Sequence, residues 1–256
     1  MTFAKLTMPL VIIVKLRGES LSVPRGVWLP LLAASALNIC LWNITTALAV
    51  LYIPSGHAAM LAYTMPLWTG LLSVLCFGEQ ASARMWLALA LGAASVTLLM
   101  WPNFAIYAGA PLGMASGLLA GFVWALGTIT VKRTDWQGMR LALTAWQVML
   151  AFPPIVLGAM LIDGVAVPTA SWQVWATTIY IGLIPMALGT ATWFTIVSLL
   201  PMQAAALSSI TVPLVAMVSG SILLGEPFGP AQIAATLCAA AALGLALRPS
   251  PIRMTV

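Results

Sequence analysis

The chain has 256 residues, 62% of them hydrophobic and 6% charged, with a mean hydropathy of +1.07. A water-soluble domain carries about 25% charged residues, so this composition excludes one and makes lipid the solvent. The net charge of +5 reads as a membrane-surface bias rather than a nucleic-acid footprint, because lysine and arginine sit beside apolar runs.

Residues 6–14 are apolar but too short to cross a bilayer, which takes about 20 helical residues. They read as half of a helix. Longer runs follow at 28–50, 57–77, 85–102, 111–131, 141–162, 172–197, 203–224 and 230–247. Backbone polar groups in lipid must bond within their own segment or in a closed barrel. These runs do not alternate as barrel strands would, so they are expected to be helices. The expected fold is an all-α membrane protein with eight full transmembrane helices plus the N-terminal half-helix.

Charge orients the spans. Lys15, Arg17 and Arg25 precede the first span, Arg84 follows the second, and Lys132, Arg133 and Arg140 lie between the fourth and fifth. Arg248 and Arg253 follow the last. On a zigzag path all of these fall on one side, while Asp163 and Glu226 fall on the other. The positive-inside rule then predicts a cytoplasmic C-terminus.

The chain also repeats itself. Pro54, Thr64, Pro66, Leu67, Gly78 and Glu79 recur without a gap as Pro201, Thr211, Pro213, Leu214, Gly225 and Glu226, 147 residues on. The copies are expected at 1–102 and 110–248. The second and seventh crossings run in opposite directions, which makes the bundle an inverted repeat, a common plan among secondary transporters. In this register the second copy begins near Ala110, so the first copy reads as starting inside a helix.

The segments LAYTMPLWTGLLSVLCFGE at 61–79, GLLAGFVWALGTITVKR at 117–133, LALTAWQVML at 141–150 and SSITVPLVAMVSGSILLGE at 208–226 resemble the EamA-type members of the drug/metabolite transporter superfamily. The resemblance covers nearly the whole chain. It implies a five-plus-five inverted repeat of ten helices with both termini cytoplasmic, of which this chain lacks the first helix and part of the second. It further implies a secondary transporter, an exporter of amino acids or related small metabolites across the inner membrane. The alternative is a non-transporting or truncated membrane subunit of the same fold.

Helical spacing places polar and aromatic residues on shared faces. Asn38, Trp42 and Thr45 share one. Gly113, Gly117, Gly121, Trp124 and Thr128 share another. Ser208, Thr211 and Ser219 share a third, and Gly182, Gly189 and Trp193 lie on one stripe. Polar residues inside a membrane mark solute paths, and small residues four apart equally mark close helix packing. The candidate substrate-binding residues are Asn38, Trp42, Tyr63, Trp124, Thr128, Trp193, Ser208 and Thr211, expected to meet in a central cavity. Pro66 and Pro213, each mid-span, are candidate helix bends because proline removes an amide donor and crowds the carbonyl four residues back.

No deep span position carries Asp, Glu, Lys or Arg, so the expected solute is an uncharged or zwitterionic amphipath. Enzyme chemistry finds no support in the residues. His57 is the sole histidine and reads as a solvated loop residue near the outer surface. Cys40, Cys76 and Cys238 have no metal-ligand spacing, and no Walker loop or HExxH occurs. No metal, cofactor or nucleic-acid partner is expected. The expected partners are a small-molecule substrate and the lipid bilayer, and the sequence leaves the oligomeric state open.

Overall fold

The computed structural model describes residues 21–78, 82–137, 139–163, 171–200 and 229–247, together with Val212, Val215 and Ile222. All regular structure among them is helical. The elements are α1 (Trp28–Ser35), α2 (Trp42–Tyr52), α3 (Ser55–Ala62), α4 (Met65–Leu75), α5 (Ala83–Met100), α6 (Phe104–Gly109), α7 (Pro111–Arg133), α8 (Arg140–Asp163), α9 (Trp172–Ile181), α10 (Thr190–Leu199) and α11 (Pro230–Leu247). Two π-helical segments, Ala36–Leu41 and Gly182–Gly189, join α1 to α2 and α9 to α10.

Among the described residues, four helical stretches are long and apolar enough to cross a membrane: Arg25–Tyr52, His57–Leu75, Ala83–Met100 and Pro111–Arg133. Shorter apolar helices lie at Ala142–Gly158 and Pro230–Ala242. The expected half-helix at 6–14 and the span at 203–224 lie outside the described residues or largely so. Large apolar side chains stand in the open on these helices, among them Leu29 at 78% and Leu51 at 76% exposure. Such a surface suits lipid, where helices associate by packing and small residues rather than by exclusion of water.

The chain divides into two compact units. The first combines residues up to Ile44 with Leu126–Leu200. Its helices start where the sequence allows. Pro30 falls in the first turn of α1, where no amide donor is needed. α1 and the π segment after it lie along α8, over a core of Val27, Met139, Ala142 and Ala145. Trp28 and Trp146 meet edge to face with centroids 5.6 Å apart, and the Trp146 indole donates to Leu21 O at 2.9 Å.

The second unit combines Thr45–Ala125 with residues from Pro201 onward. One core holds Ala49, Ile53, Ala58, Leu61 and Tyr107, and another holds Ala88, Leu89 and Ala239. Ser82 begins α5 by accepting the Met85 N–H at 3.3 Å. Gly78 ends the turn after α4 at φ +63°, a left-handed conformation that suits glycine.

Pro66 does not sit inside a continuous helix. The second span stops at Ala62, turns through Tyr63 and Thr64, and restarts at Met65. Pro66 therefore occupies the first turn of α4, where its missing N–H costs little. The Thr64 hydroxyl donates to Leu61 O at 2.6 Å within the break. Pro213 lies outside the described residues.

The 147-residue offset also governs helix bounds. α5 at Ala83–Met100 recurs as α11 at Pro230–Leu247, and the ends of α2 and α10, Tyr52 and Leu199, are equally spaced. The π segment at Ala36–Leu41 falls on Leu183–Leu188, inside Gly182–Gly189. Local chemistry differs between the two. In the first, Asn43 Nδ2 donates to Ile39 O at 2.6 Å. In the second, Pro185 has no N–H to return to Ile181.

Candidate functional site

Asn38 stands in the first π segment and is fully buried. It is held from two sides within its unit. A Cβ added to Gly127 of α7 would occupy the space of the Asn38 carboxamide, so only glycine admits it there. From α8, Gln147 accepts from Asn38 Nδ2 through Oε1 at 3.4 Å, and the Gln147 carbonyl accepts from Ser35 Oγ at 2.7 Å. Gln147 is itself fully buried, as are Thr144 on α8 and Thr128, the neighbour of Gly127.

The cluster thus contains one of the candidate residues, Asn38, and three that the spacing argument passed over; Thr128, a further candidate, is buried on α7 beside Gly127. Ser35, Thr144 and Gln147 had a signal. Ser35 and Asn38 are three apart, and so are Thr144 and Gln147, which puts each pair on one helix face. Among the described residues, Asn38 Oδ1, Thr128 Oγ1, Thr144 Oγ1 and Gln147 Nε2 are buried without a hydrogen-bond partner.

Trp42 and Trp193 belong to the same unit and are half-buried. The Trp193 indole N–H has no partner among the described residues. Tyr63 and Trp124, in the second unit, are also half-buried, and Tyr63 sits at the helix break before Pro66. Ser208 and Thr211 lie outside the described residues.

The glycine stripe of α7 is a packing seam over much of its length. A Cβ on Gly113 would lie 2.8 Å from Tyr52 Cβ, one on Gly117 2.7 Å from Leu61 Cβ, and one on Gly121 2.9 Å from Ala62 O. The last contact matters for the broken span. Ala62 O is the carbonyl that Pro66 cannot bond, and Gly121 lets α7 close over it.

His57 is not a loop residue. It lies in α3, half-buried, with Nδ1 2.8 Å from the hydroxyl of fully buried Tyr107 on α6. The phenol also faces Met60 Sδ at 4.0 Å. Cys40, Cys76 and Cys238 are free thiols, and no group of His, Cys, Asp and Glu that could hold a metal occurs among the described residues.

These features belong to a helical membrane protein that, among the described residues, buries several polar but uncharged side chains within an apolar interior. A model of the EamA-like transporter family matches residues 1–101 and 111–248. The chain belongs to that family. Membership makes it a multi-pass membrane protein built as the EamA-like transporters are. It is 27% identical to the uncharacterized transporter YvbV of Bacillus subtilis (strain 168), over 82% of this chain and 68% of that one. It is 24% identical to a probable amino-acid metabolite efflux pump of Escherichia coli (strain K12), over 68% of this chain and 61% of that one. A solved crystal structure covers 96% of this chain and 85% of its own at a TM-score of 0.78 and 18% identity. At that identity the likeness speaks for the fold alone.

Proposed function

We propose that this EamA-like protein is a secondary exporter of amino acids or related small metabolites across the cell inner membrane. The observation that carries the reading is a set of buried side chains, among the described residues, that are polar and uncharged. Ser35, Asn38, Thr128, Thr144 and Gln147 are all buried. The charged residues of the described helices instead stand at their ends, as Arg84, Lys132, Arg133, Arg140 and Asp163 do. Polar groups are costly in a membrane and mark solute paths. A solute with little net charge needs no fixed counter-ion there. The efflux-pump name of the E. coli relative favours amino-acid metabolites and outward movement. The chain has no Walker-type loop, which favours gradient-driven over nucleotide-driven transport.

The proposal includes eight crossings in an inverted repeat with a cytoplasmic C-terminus. Reporter fusions after Arg140 and Arg253 are then expected to score cytoplasmic, and one near His57 outside. Function is tested by loading cells with dipeptides and following amino-acid efflux with and without the chain. Faster efflux of at least one amino acid supports the reading. Equal efflux across the panel, at confirmed membrane abundance, overturns it.

A further inference from the structure

We propose that Asn38, Gln147 and Thr144 form a buried binding site for an uncharged group that both donates and accepts hydrogen bonds. Such a group is a hydroxyl, a carboxamide or a water molecule. The site is distinct in kind from an ion site, and it stands whether or not the chain exports amino acids.

The first ground is unspent hydrogen-bonding capacity. A buried polar atom without a partner forfeits the bonds it made to water, so Asn38 Oδ1, Gln147 Nε2 and Thr144 Oγ1, on one bonded pair and one face of α8, call for an occupant. Asn38 and Gln147 bond only each other's amides, through a long 3.4 Å contact. That contact leaves Asn38 Oδ1 as an acceptor and Gln147 Nε2 as a donor. Exchanging oxygen and nitrogen in both amides leaves the same surplus, one donor and one acceptor. The inference does not depend on the amide assignment.

The second ground is the behaviour of the threonines. A threonine hydroxyl inside a helix ordinarily bonds the carbonyl four residues back. Thr69, Thr97, Thr130, Thr134, Thr192 and Thr236 all do so, at 2.8 to 2.9 Å. Thr144, one helical turn from Gln147, does not, although it is buried. Its hydroxyl remains available to donate or to accept.

The third ground is place. Asn38 is carried by a π-helical segment, a local widening that recurs at functional sites. The glycine at 127 keeps space for its carboxamide.

The chemistry selects the ligand. The cluster offers an acceptor, a donor and one adaptable hydroxyl, with no carboxylate and no basic group. An ion would be buried without a counter-charge, which is strongly unfavourable in this setting. A group with only acceptors leaves the Asn38 oxygen unsatisfied, and one with only donors leaves the Gln147 nitrogen unsatisfied.

The test uses the full chain in lipid nanodiscs and three probes. Acetamide donates and accepts, N,N-dimethylacetamide only accepts, and acetate is charged. Acetamide is expected to raise the thermal midpoint saturably, while the other two leave it unchanged. Thr144→Val keeps side-chain shape and is expected to weaken acetamide binding by about tenfold or more. Asn38→Leu serves as the stronger variant.

A second measurement separates resident water from a solute group. With labelled glutamine side chains, magnetisation transfer from water to the Gln147 amide protons is expected in the ligand-free chain if water fills the site. That transfer should vanish in Asn38→Leu. Water transfer alone assigns the site to water, and selective acetamide binding assigns it to a solute group. Neither signal, or equal response to all three probes in a folded chain, overturns the proposal.

Discussion

Ser95 Oγ on α5 donates to the carbonyl of Ala235 on α11 at 2.8 Å, and Ala235 stands 147 residues beyond Ala88. Later in α5 therefore meets earlier in α11. The cluster of Ala88 and Leu89 with Ala239 runs the other way, so the two helices pack antiparallel. They are also the pair whose bounds match across the repeat.

This contact ranks two substitutions. Ser95→Ala removes one interhelical bond, worth about 0.6 kcal/mol in a membrane protein. Ala239→Leu forces a large side chain into a fully buried position, at about 1–3 kcal/mol. Unfolding by denaturing detergent is expected to show the alanine substitution as mild and the leucine as severe. The reverse order would mean that polar bonding, not close approach, holds this pair.

Gly127→Ala places a methyl group on the Asn38 carboxamide. The expected cost is about 1–3 kcal/mol. Because the two residues share one space, Asn38→Ala in the same chain should recover much of it, and the double variant should be more stable than the sum of the singles predicts. Strict additivity in the same unfolding assay would show that Asn38 lies elsewhere.

The glycines separate into two groups by what surrounds them. Gly121→Ala meets the Thr64 hydroxyl at 2.8 Å and Ala62 O at 2.9 Å. Backbone cannot yield cheaply, so folded yield should fall. Gly158 and Gly244 lie inside helices with nothing within 4 Å of an added Cβ. Alanine there should raise stability by up to about 1 kcal/mol through helix propensity. A thermal-stability series over the three sites checks both signs.

Tyr107 gives a pH prediction. Burial pushes its phenol above the ordinary value of 10.0, so the fold favours the neutral form. Its contribution is then complete below about pH 10 and lost as pH rises through the folded value. The thermal midpoint should decline above that point, and Tyr107→Phe should flatten the decline. The same substitution removes the contact with His57 and should cost about 1 kcal/mol at neutral pH. An unchanged alkaline profile in Tyr107→Phe would assign the decline to other groups.

Helix placement was largely legible because composition alone governs it. The run predicted at 230–247 is α11 without adjustment, and 111–131 became Pro111–Arg133. The break at Tyr63 and Thr64 was foreshadowed by Pro66, but its location depends on the approach of Gly121, which no local pattern states. Asn38 and Thr128 stood out as polar residues in apolar runs. Gln147 was as visible and was passed over, because its role comes from a neighbour 109 residues away. His57 was misread for a similar reason. Its environment is set by Tyr107, 50 residues on.

The two π-helical segments set the phase of the helical turns that continue directly from them. A π-turn closes on the fifth residue rather than the fourth, and each residue of an α-helix accounts for about 100° of rotation. Side chains on α1 and α2 are therefore out of phase with a single ideal helical wheel drawn through 28–52. The same holds for α9 and α10. Residue number within 36–41 and 182–189 is thus a structural variable in its own right. Deleting one residue there would turn the following helix by about 100° and present a different face, and reinserting one anywhere in the same segment would turn it back.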